Sequence, residues 1–389
     1  MDHHFSPTVD SLQALARQVT QTSIEPMAAQ VDAQCMWPAH SMAALAQAGL
    51  MGLHVPTALG GHGQGLQTLA AITETIGRAC PSSALCFGMH CVGTAVIAAK
   101  ATGYQQQHYL RAIAQGRHIT TLALSESGSG AHFFLPATRL AADGDDFIVD
   151  GTKQFVTNGS HADSYVISTA AQQDGAAAPG GDFSCLVLDA DAPGLQWQEP
   201  WAGFGMRGNS SRGLRLEGTR VPRRNLLGEQ GDQVWYVFEV IAPFFLMAMA
   251  GTYLGVAQSA LEATEAHLRM RRYAHSGESL ADIESLQVRF AAMWVALEKS
   301  RGLLREAAAR GDAGHPDALP YLLACKADAA DTAVLLANEA MTLCGGMAYR
   351  ENSRVAQMLR DARASHVMSP TTDLLKLWTG RSLLGVPLL

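Results

Sequence analysis

The stretch Leu122–Gly159, LALSESGSGAHFFLPATRLAADGDDFIVDGTKQFVTNG, holds the residues whose types and spacing could do chemistry. From Ser125 to Ala131 the side chains are mostly small or absent, with Gly128 and Gly130 close together and Gly151 further on. So small a chain lets backbone N–H groups approach a flat ring or a phosphate. Phe147–Val149 and Lys153–Thr157 alternate with period two, as half-buried strands do. Taken alone, these residues fit a glycine-rich hairpin loop equally well, so the surrounding elements must decide.

Helical spacing runs through Ser11–Val19, Ala43–Leu50, Leu69–Arg78, Leu85–Ala99 and Gln105–Ala114, while Gly52–Gly65 is too rich in Gly and Pro for an element interior. Strand-like runs follow at Ile119–Leu124, Tyr165–Ala170, Cys185–Asp189 and Leu214–Glu217, and Ala170–Asp182 reads as a hairpin tip. This is an antiparallel β region without the βαβ rhythm of a Rossmann domain. Long helices then return at Gln233–Arg272, Ala281–Ala309 and Leu319–Leu343, with Ala309–Pro320 as a turn. Pro243 is expected to end or kink the first of them. Helices this long cannot bury their faces as an isolated pair, so a four-helix bundle is the economical packing. The expected class is α+β: an N-terminal all-α domain (1–117), a middle antiparallel β domain (118–230) and a C-terminal four-helix bundle (231–389).

At 389 residues, 48% hydrophobic and 16% charged, the chain can build a large core. A net charge of −7 argues against nucleic acid as a partner. No apolar run reaches the ~18 uninterrupted residues of a membrane span, and the polar start MDHHFSPTVD does not read as a signal peptide. The seven cysteines form no CxxC pair and no metal clip, so no metal is expected and a reducing cytoplasm is the simplest location.

Five segments, in order, carry a family likeness. LALSESGSGAH looks like a TEPxxGSD segment, KQFVTNG like K-x-W-I-T-N-G, and GMRGNSSRGLRLEGTRVPRRNLLGEQG like G-x-R-G-S-x-T…V-P-x-x-N-x-L-G. CGGMAYRENSRVAQMLRDARA resembles a G-G-x-G-Y…R-D-A-R stretch, and PTTDLLKLWTGRSLLG a carboxy-terminal helix. On these motifs the chain resembles the acyl-CoA dehydrogenase superfamily over essentially its whole length. The resemblance implies bound FAD, a homotetramer or homodimer, an acyl thioester substrate on CoA or an acyl carrier protein, and an electron-accepting flavoprotein or O2. It assigns Leu124, Ser125, Ser129 and Gly130 to the loop at the flavin, and Phe155 and Thr157 to positions beside the ring. Arg271 takes the place of an arginine that reaches a neighbouring subunit's pyrophosphate. Gly345 and Gly346 fall near the adenosine half, and Thr371 joins the cofactor set.

The substrate half departs from the pattern. The usual catalytic glutamate corresponds to Ser369, followed by Pro370 in place of glycine, and the alternative base position on the long helix is Phe245. Losing a general base typically costs ~10²–10⁴ in rate. Pro243 and Leu246 replace the D-x-x-R pair that helps seat the acyl chain, Ala131 and His132 replace the motif's Ser and Asp, and Ala274 and His275 replace the FG after the cofactor arginine. Catalytic candidates are therefore Ser369 itself, with His366, Asp373, His132 and His90 on segments that border the pocket in the family. Each histidine could be a base near neutral pH or a structural hydrogen-bonding group. Asp373 reads first as part of the polar face of the last helix. Glu126 reads as architectural, and Cys86 and Cys91 as small core residues. Three functions are open: an FAD-dependent dehydrogenase oxidising the α,β bond of an unusual acyl thioester, a flavin monooxygenase using reduced flavin and O2, and a non-catalytic flavoprotein. The uninterrupted last helix and the KQFVTNG strand favour the first.

Overall fold

A computed structural model describes residues 7–130, 132–171 and 183–388. Ala131, the first six residues and most of the expected hairpin tip lie outside the described residues. The chain opens with helices α1 (Pro7–Val19), α2 (Ala28–Ala33), α3 (Ala39–Gln47), α4 (Leu66–Ala79) and α5 (Pro81–Ala99). The short helices α6 (Gly103–Gln105) and α7 (Arg111–Ala114) follow, joined by a π turn over Gln106–Leu110. Helix α4 buries one face, whereas every residue of α5 from Pro81 to Ile97 is buried. That is why its sequence is apolar all round.

The β region holds β1 (Thr120–Ala123), β2 (Arg139–Asp143), β3 (Asp146–Val156), β4 (Ser164–Ala171), β5 (Phe183–Asp189), β6 (Leu195–Pro200), β7 (Arg212–Pro222) and β8 (Leu226–Leu227). They form one sheet in the order β6-β7-β3-β2-β4-β5-β8, with β1 also on β4. Most pairs are antiparallel, as expected, but β1 and β2 both run parallel to β4. β1 pairs with Ser164–Ile167, and Arg139 and Leu140 of β2 pair with Ala170 and Ala171. One edge of β4 is thus filled by two successive strands, and Leu124–Thr138 is the excursion between them. The two runs expected around Gly151 are one strand, β3, interrupted by register shifts at Val149/Gly151 and Lys153/Val156.

The C-terminal part holds α8 (Gln233–Trp235), α9 (Ala242–Met270), α10 (Glu284–Asp312), α11 (Ala318–Cys344), α12 (Arg354–Val367) and α13 (Thr372–Leu384). Pro243 does not end a helix: the chain stays helical from Gln233 to Met270, passing through a π segment at Tyr236–Ile241 just before the proline. A π turn widens the helix where proline lacks its N–H and crowds the preceding turn. Gln233–Met270 and Pro81–Ala99 are long and apolar enough to cross a membrane by length and composition, yet 78% and 89% of their most apolar windows are buried inside the molecule.

Helices α4 and α9 meet almost backbone to backbone. A Cβ on Gly255 would lie 2.5 Å from the Arg78 nitrogen and the Glu74 carbonyl oxygen, and one on Gly251 would lie 2.4 Å from the Ala70 carbonyl oxygen. The contact joins the N-terminal helices to the bundle, so Gly255→Ala should destabilise the fold by ~1–3 kcal/mol, the usual range for overpacking. Thermal or denaturant unfolding measures it, and an unchanged midpoint would show that the helices can separate freely.

Candidate active site

The excursion Leu124–Thr138 is closed at its base by one side chain. The Glu126 carboxylate accepts from the Ala137 N–H at 2.7 Å, from the Thr138 N–H at 3.2 Å and from the Thr138 hydroxyl at 2.7 Å. Its fourth partner is Lys153 Nζ of β3 at 2.6 Å, and Lys153 also donates to the Ser168 carbonyl oxygen on β4. Lys153 is fully buried. Burial alone would raise the Glu126 carboxyl, but the Lys153 charge and these hydrogen bonds hold it below the usual carboxylate range. Removing one partner of such a pair strands the other charge, typically at a cost of ~3–5 kcal/mol. Glu126 is thus architectural, as its motif position implies.

The same clamp shapes the aromatic face beside the loop. Between Lys153 and Val156 an extra residue bulges out of β3, and Phe155 sits there at φ +55° with 59% of its surface exposed. The Gln154 N–H donates to the Ser125 carbonyl oxygen at 2.7 Å, so the bulge is tied to the loop instead of to β7. Leu124 is buried at the end of β1, Ser129 donates to the Glu126 carbonyl oxygen, and Gly130 has φ +51°. Nothing would touch a Cβ on Gly128 or Gly130, so space is open above the loop. Thr157 follows the bulge, its carbonyl oxygen accepting from the Thr121 hydroxyl. Next, Asn158 pins the strand to the N-terminal helices, accepting from Trp37 Nε1 and donating to the Cys86 carbonyl oxygen.

Helix α12 locks the three parts together. Arg360 and Arg207 both pair with Asp32, at 2.5 and 3.2 Å. Burial would raise the Asp32 carboxyl, but the two guanidiniums hold it below its usual range. Asp361 accepts from the Met206 N–H at 2.5 Å, and burial pushes its carboxyl up to about 6.

The segment after α12 carries the vacated base position. Lys326 of α11, fully buried, donates to the carbonyl oxygens of Ser365, Met368 and Pro370 at 2.9, 3.1 and 2.9 Å. Burial pulls its ammonium down to about 7. This lysine sits on an apolar helix face in LLACKADAA, where a charge at a core position is a sequence signal that motif matching alone passes over. Ser369 Oγ is buried and has no hydrogen-bond partner. The Thr371 hydroxyl caps α13, accepting from the Leu374 N–H. His366 turns away toward α11: Nε2 lies 3.2 Å from Asp331, which also pairs with Lys376, and Nδ1 lies 3.1 Å from Arg363. Asp373 is exposed in the first turn of α13.

Loop and base segment meet through aromatics. Phe134 lies 5.8 Å from Phe238 and 6.5 Å from Trp378 of α13 between ring centroids, and Gln233 Nε2 donates to the Phe134 carbonyl oxygen. His132, near the end of the loop, is exposed and packs edge-on to Phe134. Arg271 stands exposed at the end of α9, and Gly345 (φ +60°) and Gly346 at the end of α11 have open space around them. The structure thus gathers Leu124, Ser125, Ser129, Gly130, Phe155 and Thr157 at one loop, and Ser369 and Thr371 at another. Arg271, Gly345 and Gly346 stand at helix ends of the bundle.

His90 is structural by geometry. The Thr120 N–H donates to Nδ1 at 3.2 Å, and Nε2 lies 3.0 Å from the Met51 carbonyl oxygen, so both nitrogens of a neutral ring are engaged. Burial pushes its pKa from 6.5 down to about 4, and burial does the same to His54. An unfolded chain takes up these protons near pH 6.5 and the native chain only near 4. Stability present above pH 6.5 is therefore lost as the pH falls, by ~3 kcal/mol per histidine at pH 4. His90→Gln should flatten part of this acid loss, read from urea midpoints at pH 7 and 4.5. An equally steep loss in the variant would show that His90 does not carry it.

The residues at the loop fit a flavin: an aromatic face held out from the sheet, hydroxyls on Ser125 and Ser129, and open space over two glycines. Comparison with known proteins agrees. Residues 6–117 match "Acyl-CoA dehydrogenase, N-terminal domain", residues 121–219 the middle domain and residues 245–384 the C-terminal domain. Cyclohex-1-ene-1-carbonyl-CoA dehydrogenase of Geobacter metallireducens is 31% identical, covering 95% of this chain and 96% of its own. Butyryl-CoA dehydrogenase from Megasphaera elsdenii superposes with a TM-score of 0.92 at 22% identity, over 99% of this chain and all (100%) of its own. The prolyl acyl carrier protein oxidase AnaB superposes at 0.87 with 23% identity, over 98% of this chain and 100% of its own. With three domains matched in order and a relative aligned nearly end to end, the chain belongs to the acyl-CoA dehydrogenase family of FAD-dependent oxidoreductases.

Proposed function

We propose that this oxidoreductase oxidises the α,β bond of an unusual acyl thioester, carried by CoA or by an acyl carrier protein. The observation that carries the reading is Ser369, a hydroxyl where the family resemblance places a carboxylate base. A serine hydroxyl is no base at neutral pH, but a buried oxygen without a partner costs ~1–3 kcal/mol. A polar atom of the substrate satisfies it, so Ser369 orients the thioester. The α proton must then be acidified by the substrate's own substituent or taken by a group displaced from the family position. Phe155 offers its face to the flavin and Ser125 its hydroxyl to the polar edge of the ring, with Thr157 beside them. FAD, when bound, supplies the hydride acceptor for the β carbon. Lys326 holds the Ser369 segment in place through three carbonyls.

A carrier-protein substrate is supported by the likeness to AnaB, whose own substrate is a prolyl acyl carrier protein. Exposed Val288, Trp294 and Val295 on α10 and Leu335 on α11 fit a homotetramer or homodimer interface. The seven free cysteines fit a reducing cytoplasm.

Anaerobic mixing of the FAD-loaded protein with acyl thioesters tests the reaction. Bleaching of the flavin's visible absorbance is the expected result. Oxygen-dependent product from supplied reduced flavin, without bleaching, would instead indicate a monooxygenase, and neither result would leave a non-catalytic flavoprotein. A second test restores the base: Ser369→Glu should gain activity on simple acyl-CoAs, by up to ~10² in rate. An unchanged rate in a dye-reduction assay would show that the pocket, beyond the missing base, excludes them.

A further inference from the structure

A cleft of ≈ 520 Å³ lies between α1, α4, α9 and α10, and no residue of the flavin loop or of the Ser369 segment lines it. That volume is in the usual range of small-molecule sites. Asp10, Gln13 and Arg17 enter it from one face of α1, at the three- and four-residue spacing of a helix stripe. Thr20 continues the stripe at the start of a π turn, Thr20–Ile24. Glu74 and Arg78 come from α4, Glu262 from α9, and Arg301 and Arg305 from α10. Four guanidiniums thus meet three carboxylates, in a chain whose net charge is −7.

Two observations point to a ligand. The first is how unevenly the guanidiniums are used. Arg301 spends all three nitrogens, on Glu74, Glu298 and Gln258. Arg78 donates only through Nε, to both Glu262 oxygens at 2.8 Å, and its Nη1 and Nη2 have no hydrogen-bond partner among the described residues. Arg17 makes one long contact, 3.4 Å, to the neutral Gln13 amide oxygen. Glu74 and Glu262 are therefore neutralised inside the cleft, while Arg17 and the fork of Arg78 keep donors to spare. The second is Thr20, which is 4% exposed and whose hydroxyl has no partner. The hydroxyls of Thr22, Thr73, Thr75, Thr252 and Thr264 each donate to the carbonyl four residues earlier, the common arrangement in a helix. Thr20 does not. Arginine forks match the oxygens of carboxylates and phosphates. We propose that the cleft binds a small organic anion through Arg17, Arg78 and the Thr20 hydroxyl. Asp10, about two turns before Arg17, accepts from a hydroxyl of the same ligand. The Arg78 nitrogen and the Glu74 carbonyl oxygen are the groups against which Gly255 of α9 closes. Occupancy therefore ties the N-terminal helices to the bundle, whatever the substrate of the reaction.

Citrate and glycerol 3-phosphate, each a hydroxylated anion of one class, are suitable probes, titrated calorimetrically into the FAD-loaded protein. At least one should bind saturably, once per chain, and raise the thermal unfolding midpoint, because a ligand held only by the folded state stabilises it. Tighter citrate binding marks a polycarboxylate ligand, and tighter glycerol 3-phosphate binding a phosphate ester. Arg17→Gln and Thr20→Val should each weaken binding at least tenfold, with retained flavin absorbance showing that the variant is folded. If Thr20→Val loses its flavin, Arg17→Gln, at an exposed helix position, decides the test. No saturable binding of either anion, or an affinity that the folded variants leave unchanged, would overturn the site.

Discussion

The buried pair between Glu126 and Lys153 is the constraint on which the site depends. Two strands share one edge of β4, and the chain leaves the sheet between them for Leu124–Thr138. Such an excursion needs an anchor at its base, because Ser125–Gly130 carries mostly small side chains and a Cβ on Gly128 or Gly130 would meet nothing within 4 Å. Glu126 ties the two ends of the excursion together, and Lys153 ties both to β3 and β4. The lysine sits immediately before the bulge that turns Phe155 outward. One ion pair therefore fixes a loop and an aromatic face relative to each other. Its four acceptor contacts offset the cost of burying the charges.

A second set of charges fixes the site relative to the rest of the chain. Asp32, on an N-terminal helix, takes arginines from the middle and C-terminal parts, while Asp361 holds the Met206 turn. Lys326 does the same for the segment bearing Ser369, using three carbonyls where no carboxylate is available. These groups resemble catalytic residues in type and burial, yet each is spent on architecture. The distinction lies in their partners, all of which belong to the protein.

Where the chain departs from its family, the replacements act together. Pro243, Leu246 and Pro370 stand in one wall, next to Trp378 and Leu388, so the altered positions build an apolar region. Two of the candidate histidines, by contrast, are held by partners within the protein. His366 Nε2 lies near Asp331 and His90 is engaged at both nitrogens, while the Ser369 hydroxyl is one of several buried polar atoms without a hydrogen-bond partner.

The α+β class and the order of helices, strands and bundle were legible in the sequence, because periodicity and short motifs are local properties. The loop's small residues and the motif around Phe155 could be read without knowing what packs against them. Pairing directions were not legible: β1 and β2 lie parallel to β4 because of where the chain returns to the sheet, which no local pattern encodes. Pro243 was read by its intrinsic tendency to break a helix, and a π segment absorbed it. The roles of His90, His366 and Lys326 were likewise decided only by tertiary structure. Whether a histidine is a base or a pin, or a lysine a surface charge or a buried clamp, depends on partners tens of residues away in the chain.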